Sequence, residues 1–182
     1  MKREVKREVK RVVKRVSFYN LAAAAVVLIA MAGQAGADNT GTVGVSATVA
    51  NACVVTNSPS MSFGTFNPVD GANVNQTGTI SIACTKGAVA KVALDPGANG
   101  GKGGSGSRAM SDGSGDFLGY EIYSNSGMST VWGIGANAVT ESAAPSTSAV
   151  NYTAYGQIPT AGSNQNVPAA SYSDTVNLSI SF

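Results

Sequence analysis

Two cysteines, Cys53 and Cys84, are the side chains of this sequence whose type and spacing bear most directly on chemistry. Their separation is unlike the C-x-x-C spacing of redox-active pairs. Two thiols in a chain without histidine do not make a zinc site either. In an exported protein the pair predicts one intramolecular disulfide, with two free thiols as the alternative. Closing a loop of this size contributes roughly 3–4 kcal/mol to stability.

The sequence has no histidine, which excludes nucleophiles, metal sites and pH switches that depend on imidazole. The sequence does not identify any two Asp or Glu residues as the pair of opposed carboxylates that a glycosidase needs across its cleft. Glu121 lies in a predicted strand, where alternation predicts a solvent-facing charge, and Asp112 and Asp116 lie in a Gly/Ser-rich loop. We therefore expect no enzyme, no catalytic residue, no metal site and no cofactor.

The Gly/Ser-rich loop, residues 96–116, matches phosphate and calcium motifs only in part. A P-loop ending at Lys102 would need glycine where Pro96 stands. A calcium loop starting at Asp95 would need glutamate where Gly106 stands. The composition predicts a mobile hairpin connection that holds no ligand and tolerates shortening by several residues.

The charge of the chain is concentrated at its N-terminus. Residues 1–16 hold eight of the twelve Lys and Arg residues, so nucleic-acid binding by a basic patch is not expected for the remainder. A short apolar run, residues 21–32, and the sequence Ala35-Gly36-Ala37 follow. This order predicts a secretory signal peptide over residues 1–37, because the apolar run is shorter than the roughly 20 residues that span a bilayer. An amphipathic surface helix and a start codon assigned too far upstream are the alternatives.

Beyond residue 37 the apolar residues recur with a period of two, which is typical of half-buried strands. Gly, Pro, Asn and Ser clusters separate the alternating segments. Seven or so short strands predict an antiparallel sandwich of the immunoglobulin-like type, with barrels and jelly rolls left open. The predicted strands cover residues 42–49, 79–84, 88–94, 117–123, 129–133, 150–158 and 175–182.

The first and last predicted strands distinguish this chain from an ordinary secreted sandwich. Residues 42–49 begin a few residues after the expected cleavage site, and residues 175–182 run to the terminal Phe182. An immunoglobulin sandwich needs a further edge strand after the last one. A spare strand at the front and a missing strand at the back suggest strand donation between copies, which builds fibres because the contact does not close. A complete fold, in which the first strand pairs within its own domain, fits the periodicity equally well.

Short sequence blocks follow one another in a specific order along almost the whole chain after the signal peptide. They are Ala52-Cys53-Val54-Val55, Phe63-Gly64-Thr65-Phe66-Asn67-Pro68, residues 77–85, Arg108-Ala109-Met110, residues 118–123, Val131-Trp132-Gly133, residues 155–159 and residues 172–176. Both cysteines fall within these blocks. In the order of its blocks the chain resembles the spore coat U domain family, which includes subunits of archaic (Csu-type) chaperone–usher pili. Two features depart from the family: Ser171 stands where glycine is usual, and the Gly-rich loop is longer than usual.

The resemblance implies an incomplete immunoglobulin-like antiparallel β-sandwich that a donor strand from a neighbouring subunit completes. Residues 38–50 would be the donor arm and residues 51–182 the sandwich. A periplasmic chaperone would fill the groove of the sandwich first, and the arm of the next subunit would replace it. The donor side chains would be Val43, Val45, Ala47 and Val49, and one groove wall would be Val176, Leu178, Ile180 and Phe182.

The implied protein is a structural subunit of a surface pilus that serves cell adhesion and biofilm formation. It would pass through the periplasm and reach the cell surface. Its partners would be copies of itself or related pilus subunits, the chaperone and an outer-membrane usher, with no nucleic acid and no small-molecule substrate. The alternative is a secreted structural coat protein or binding module with a complete β-sandwich.

Overall fold

The computed structural model describes residues 40–104, 108–141 and 143–182, and the predicted signal peptide lies outside them. No helix in these ranges is long and apolar enough to cross a membrane. Short 3-10 turns at Gly135–Asn137 and Gly162–Asn166 accompany the strands. The strands are β1 (Cys53–Asn57), β2 (Val74–Cys84), β3 (Lys91–Leu94), β4 (Arg108–Ser111), β5 (Phe117–Tyr123), β6 (Val139–Thr140), β7 (Val150–Ile158) and β8 (Leu178–Ser181).

The strands form two antiparallel sheets, with orders β1-β2-β7-β5-β4 and β6-β3-β8. The all-β, antiparallel prediction is therefore confirmed. The period-two segments 117–123 and 150–158 are strands over their whole predicted length. Residues 129–133 instead form a single bridge, between Val131 and Tyr123.

One hydrophobic cluster draws its side chains from both sheets. At its centre Trp132 is fully buried, and its indole N–H donates to the carbonyl of Val92 on β3 at 2.8 Å. Its ring meets that of Tyr152 on β7 edge-on, with centroids 6.2 Å apart. A buried indole needs a hydrogen-bond acceptor, and here the acceptor lies in one sheet while the ring contact lies in the other.

The predicted disulfide is present between Cys53 and Cys84. The two residues are direct partners in the antiparallel register of β1 and β2. The bond therefore closes the first rung of this ladder, at the point where the chain enters the sheet.

The Gly/Ser-rich segment is more ordered than its composition predicts. It contains β4, which begins at Arg108 and pairs with β5. Gly103 is buried, and a Cβ there would lie 2.7 Å from Cα of Gly119 and 2.9 Å from the carbonyl oxygen of Arg108. The prediction of one unbroken connection over residues 96–116 is therefore wrong, whereas its mobility and its tolerance of shortening stay predictions; Gly103 is a packed position within it.

The prediction of a solvent-facing Glu121 is also wrong, because the residue is 6% exposed. Its carboxylate pairs with the guanidinium of Arg108, which is 1% exposed. The same guanidinium donates to the carbonyl oxygens of Asp95 (2.9 Å), Leu94 (3.1 Å) and Trp132 (2.8 Å). Burial of two opposite charges is tolerated because each has hydrogen-bond partners.

Candidate functional site: an apolar cleft beside the edge of β8

A cavity of about 980 Å³ opens between two segments without regular strands, residues 58–68 and 167–176. Its floor consists of hydrophobic core side chains from both sheets. These floor side chains are themselves 1–7% exposed, so the cleft reaches down to the core between the two segments without laying it open. The floor residues are Ile80, Leu94, Leu118, Tyr120, Ile122, Ala154 and Ile158.

The first wall, residues 58–68, lies over glycines of the large sheet. A Cβ on Gly156 of β7 would lie 2.2 Å from Sδ of Met61 and 2.8 Å from Cζ of Phe63. A Cβ on Gly78 of β2 would lie 2.9 Å from Cγ of Pro59 in the same wall. Glycine within a strand often marks such a close approach. The alternation pattern missed these two glycines, and their position inside strand-like segments was the signal available.

The second wall, residues 167–176, is held at Asp174. This carboxylate accepts the phenol hydrogen of Tyr120 at 2.8 Å and the backbone N–H of Ala98 at 3.0 Å. Burial raises the pKa of Tyr120, and the hydrogen bond to Asp174 raises it further. The phenol therefore stays a hydrogen-bond donor that ties the floor of the cleft to this wall.

Asp95 fixes the chain just before β8. Its carboxylate accepts the backbone N–H of Asn177 at 2.8 Å, the side-chain amide of Asn177 at 2.7 Å and the N–H of Gly97 at 2.9 Å. Burial acts to raise the pKa of Asp95, but these hydrogen bonds together lower it below its ordinary value. An ionised Asp95 thus positions the start of β8 against the end of β3.

Hydrogen bonds of β3 show which way the backbone groups of β8 point. The N–H of Leu94 donates to the carbonyl of Gly133, and the carbonyl of Val92 accepts the Trp132 indole. The backbone groups of these two β3 residues therefore face away from β8. In an antiparallel ladder, alternate residues face the partner strand, so Ala93 and Lys91 are the β3 residues that bond to β8.

Ser179 and Ser181 are the register partners of Ala93 and Lys91, so their backbone groups bond to β3. By the same alternation the backbone groups of Leu178 and Ile180 point to the other edge of β8. In the described ranges, no strand pairs with that edge. An unpaired strand edge next to a cleft with an apolar floor can accept a further strand.

The predicted groove wall lies partly along the cleft. Val176 and Leu178 line the cavity, and Ile180 is half-buried against the core. Phe182 is 63% exposed. These positions alternate with exposed residues, but their role as a wall stays a prediction.

The predicted donor residues lie in a stretch without regular secondary structure, residues 40–52. The described residues divide into two units between Val45 and Ser46. Val43 and Val45 in the first unit are 88% and 90% exposed, and Val49 in the second is 82% exposed. Ala47 is exposed as well. The donor role and the predicted boundary at residue 50 stay predictions.

The chemistry of the cleft suits an extended, uncharged, apolar segment. Among its described lining residues the one charged side chain is Asp174, whose oxygens already accept hydrogen bonds. A charge inserted there without a partner would cost several kcal/mol. Over the described part of the chain, no group of three or more Cys, Asp or Glu side chains could hold a metal ion.

Comparisons with known proteins agree with this architecture. The family model described as the Spore Coat Protein U domain matches residues 39–179. Among curated proteins, none matches the chain. A similar solved structure is the CsuC–CsuE chaperone–tip adhesion subunit pre-assembly complex from the archaic chaperone–usher Csu pili of Acinetobacter baumannii, with a TM-score of 0.50 and 24% sequence identity. The match covers 74% of this chain and only 40% of that chain, and it is a likeness of fold.

Proposed function

The chain belongs to the spore coat protein U domain family, and we propose that it is a structural subunit of a surface pilus assembled by donor-strand exchange through a chaperone–usher pathway. The observation that carries the proposal is the unpaired edge of β8 beside an apolar cleft. A strand added there would gain backbone hydrogen bonds from the edge and bury its alternate side chains in the cleft.

The strand that we propose for this place is the arm of another copy or of a related subunit, with Val43, Val45, Ala47 and Val49 facing the cleft. Each valine would contribute about 1–2 kcal/mol by apolar burial. The unpaired edge from Val176 to Ile180 spans about 17 Å at about 3.3 Å per residue, and the alternating arm from Val43 to Val49 spans about 23 Å, so the edge can pair with most of the arm. Small apolar side chains suit a cleft with an apolar floor, whose one charged residue among the described lining, Asp174, already accepts hydrogen bonds.

Before assembly, the cleft would be covered by a periplasmic chaperone, and an outer-membrane usher would exchange the chaperone for the arm. An uncovered apolar cleft next to an unpaired strand edge promotes aggregation. A chaperone that covers both would prevent it. The subunit would be exported by the signal peptide, pass through the periplasm and end in a cell-surface fibre. Adhesion and biofilm formation are the roles that we propose for the fibre. The proposed role is structural rather than enzymatic.

Peptide complementation tests the proposal. Residues 51–182 are refolded with a synthetic peptide of residues 40–50, and the melting midpoint is measured. Matched control peptides carry Val45→Asp, on the face proposed to enter the cleft, or Ser46→Asp, on the opposite face. We expect the wild-type and Ser46→Asp peptides to raise the midpoint and the Val45→Asp peptide to have little effect. A domain that melts at the same temperature with and without every peptide would favour the complete module instead.

A further inference from the structure

The arm joins the sandwich at a single well-defined point. Residues 46–52 lead directly into Cys53, the first residue of β1. Just before it, the carbonyl of Ala52 accepts the N–H of Thr85 at 2.8 Å, and the N–H of Ala52 donates to Oγ1 of Thr85 at 3.2 Å. Any pull on the arm therefore reaches the sandwich first at this junction of β1 with the end of β2.

β1 has few features that would let it resist tension on the arm by itself. It is the outermost strand of its sheet and is five residues long. Its side chains after Cys53 are exposed, including Val54 (60%) and Val55 (43%). β2 is eleven residues long, lies between β1 and β7, and carries the buried Ile80 and Ile82. An edge strand without core side chains frays before the interior strand that it pairs with.

We propose that the Cys53–Cys84 disulfide is a mechanical anchor that passes tension on the arm directly to β2. The inference rests on the proposed function, since a fibre joined by donated strands pulls on each subunit through its arm. The bond closes the first rung of the β1–β2 ladder, so it meets the tension before any hydrogen bond of β1. With the rung closed, β1 cannot separate from β2 starting at its pulled end.

The anchor also protects the cleft. The segment after β1, residues 58–68, forms the first wall of the cleft. If β1 separated under tension, this wall would be the next part of the chain to be pulled away. A strand held in the cleft would then lose one side of its binding site. The disulfide therefore keeps tension that arrives through the arm from opening the cleft that would hold the arm of another subunit.

Force-clamp measurements on the wild-type chain test the anchor while the domain is folded. Single chains are held between handles at Asp38 and Phe182, and a small water-soluble phosphine is added as the reductant. A cavity of about 240 Å³, lined in part by Cys53, Cys84 and Val54, opens beside the bond. We expect the cleavage rate to rise several-fold with force, because tension along a bond lowers the barrier to its cleavage. A rate independent of force over the range in which the domain stays folded would overturn the proposal.

The extension after cleavage gives a second readout. We expect reduced chains to release β1 and the following segment, up to β2, in an early step of at most about 75 Å at about 3.6 Å per residue. Oxidised chains should lack this step. Reduced chains that unfold in one step at the oxidised force would contradict the anchor.

Thr85→Ala is the matched control, since it removes the side-chain hydrogen bonds at the junction and keeps the disulfide. In oxidised chains we expect it to leave the first unfolding force unchanged. A decrease as large as that caused by reduction would show that the hydrogen bonds carry the tension instead, and would overturn the proposal. None of these measurements needs a fibre. Failure of the anchor and failure of polymerisation are thus separate results.

Discussion

The buried ion pair of Arg108 and Glu121 gives the most quantitative prediction for the sandwich itself. The guanidinium links β4 and β5 of the large sheet to the carbonyls of Leu94 and Asp95, where β3 of the small sheet ends. Glu121→Gln keeps an acceptor for the guanidinium but removes the charge, and should cost about 2–3 kcal/mol, the upper part of the range for hydrogen bonds to charged groups. Arg108→Met removes every donor at once and should cost about 4–5 kcal/mol.

The two substitutions are expected to be strongly non-additive. Once the cation is gone, neutralising Glu121 relieves a buried charge, so the double variant should cost no more than Arg108→Met alone. This corresponds to a coupling free energy of about 2 kcal/mol or more. The assay is urea unfolding of the full chain followed by the fluorescence of Trp132, the single tryptophan, which is fully buried. Costs that add within about 0.5 kcal/mol would refute the reasoning, because they would mean that the two charges do not interact.

Three further predictions concern the disulfide, the glycines near the cleft and the pH dependence of stability. Reduction of Cys53–Cys84 should lower the free energy of unfolding by about 3–4 kcal/mol, measured in urea; alkylation of both thiols in native exported protein without reductant would contradict the bond. Gly97→Ala should cost about 3 kcal/mol, because φ is +81° and the new Cβ would lie 2.1 Å from Asp174 Oδ2. Gly101→Ala, at φ +79° with no atom within 4 Å of the new Cβ, should cost only about 1–2 kcal/mol, and equal melting shifts would exclude a role for the Asp174 contact. The lowered pKa of Asp95 means that its stabilisation is present above about pH 4 and is lost as the pH falls through the lowered folded value. Asp95→Asn should therefore unfold at lower urea than wild type at about pH 7, by a difference that narrows as the pH falls below about 4; a difference that stays constant below that pH would refute the assignment.

Period-two alternation predicted the strands that have one face in the core. β7 is an example, because Ala154 and Ile158 are buried on it while their neighbours Tyr155 and Gln157 are half-buried. The same rule failed at Glu121, which lies between two buried neighbours and is itself buried. Alternation describes a strand with one solvated face, whereas this part of β5 is covered on both faces. The charge is stable there because Arg108 lies close in space, and sequence distance does not show that.

Composition misjudged the Gly-rich segment for a related reason. The glycines were interpreted as a sign of flexibility. Gly103 is instead buried, and a side chain at this position would not fit beside Gly119. Gly78 and Gly156 make room for the first wall of the cleft in the same way. Asn164, fully buried, bonds both backbone groups of Gly119 and was also missed. These contacts join residues far apart in the chain, so a one-dimensional pattern does not contain them. The disulfide was predictable because export and the cysteine count together left few alternatives.

The most direct test of the central claim compares fibre growth in two full-length variants, Val45→Asp and Ser46→Asp, co-expressed with the cognate chaperone and usher. Fibre length is measured by electron microscopy, and recovery of the chaperone-bound subunit is measured in parallel. The account predicts that Val45→Asp blocks or strongly shortens the fibres while the chaperone complex is recovered normally, because the charge would be buried without a partner in the neighbour's cleft. Ser46→Asp, one residue along and on the opposite face, should be much milder. Equal effects of the two substitutions, or loss of the chaperone-bound subunit with Val45→Asp, would contradict the account and indicate an arm that packs inside its own domain.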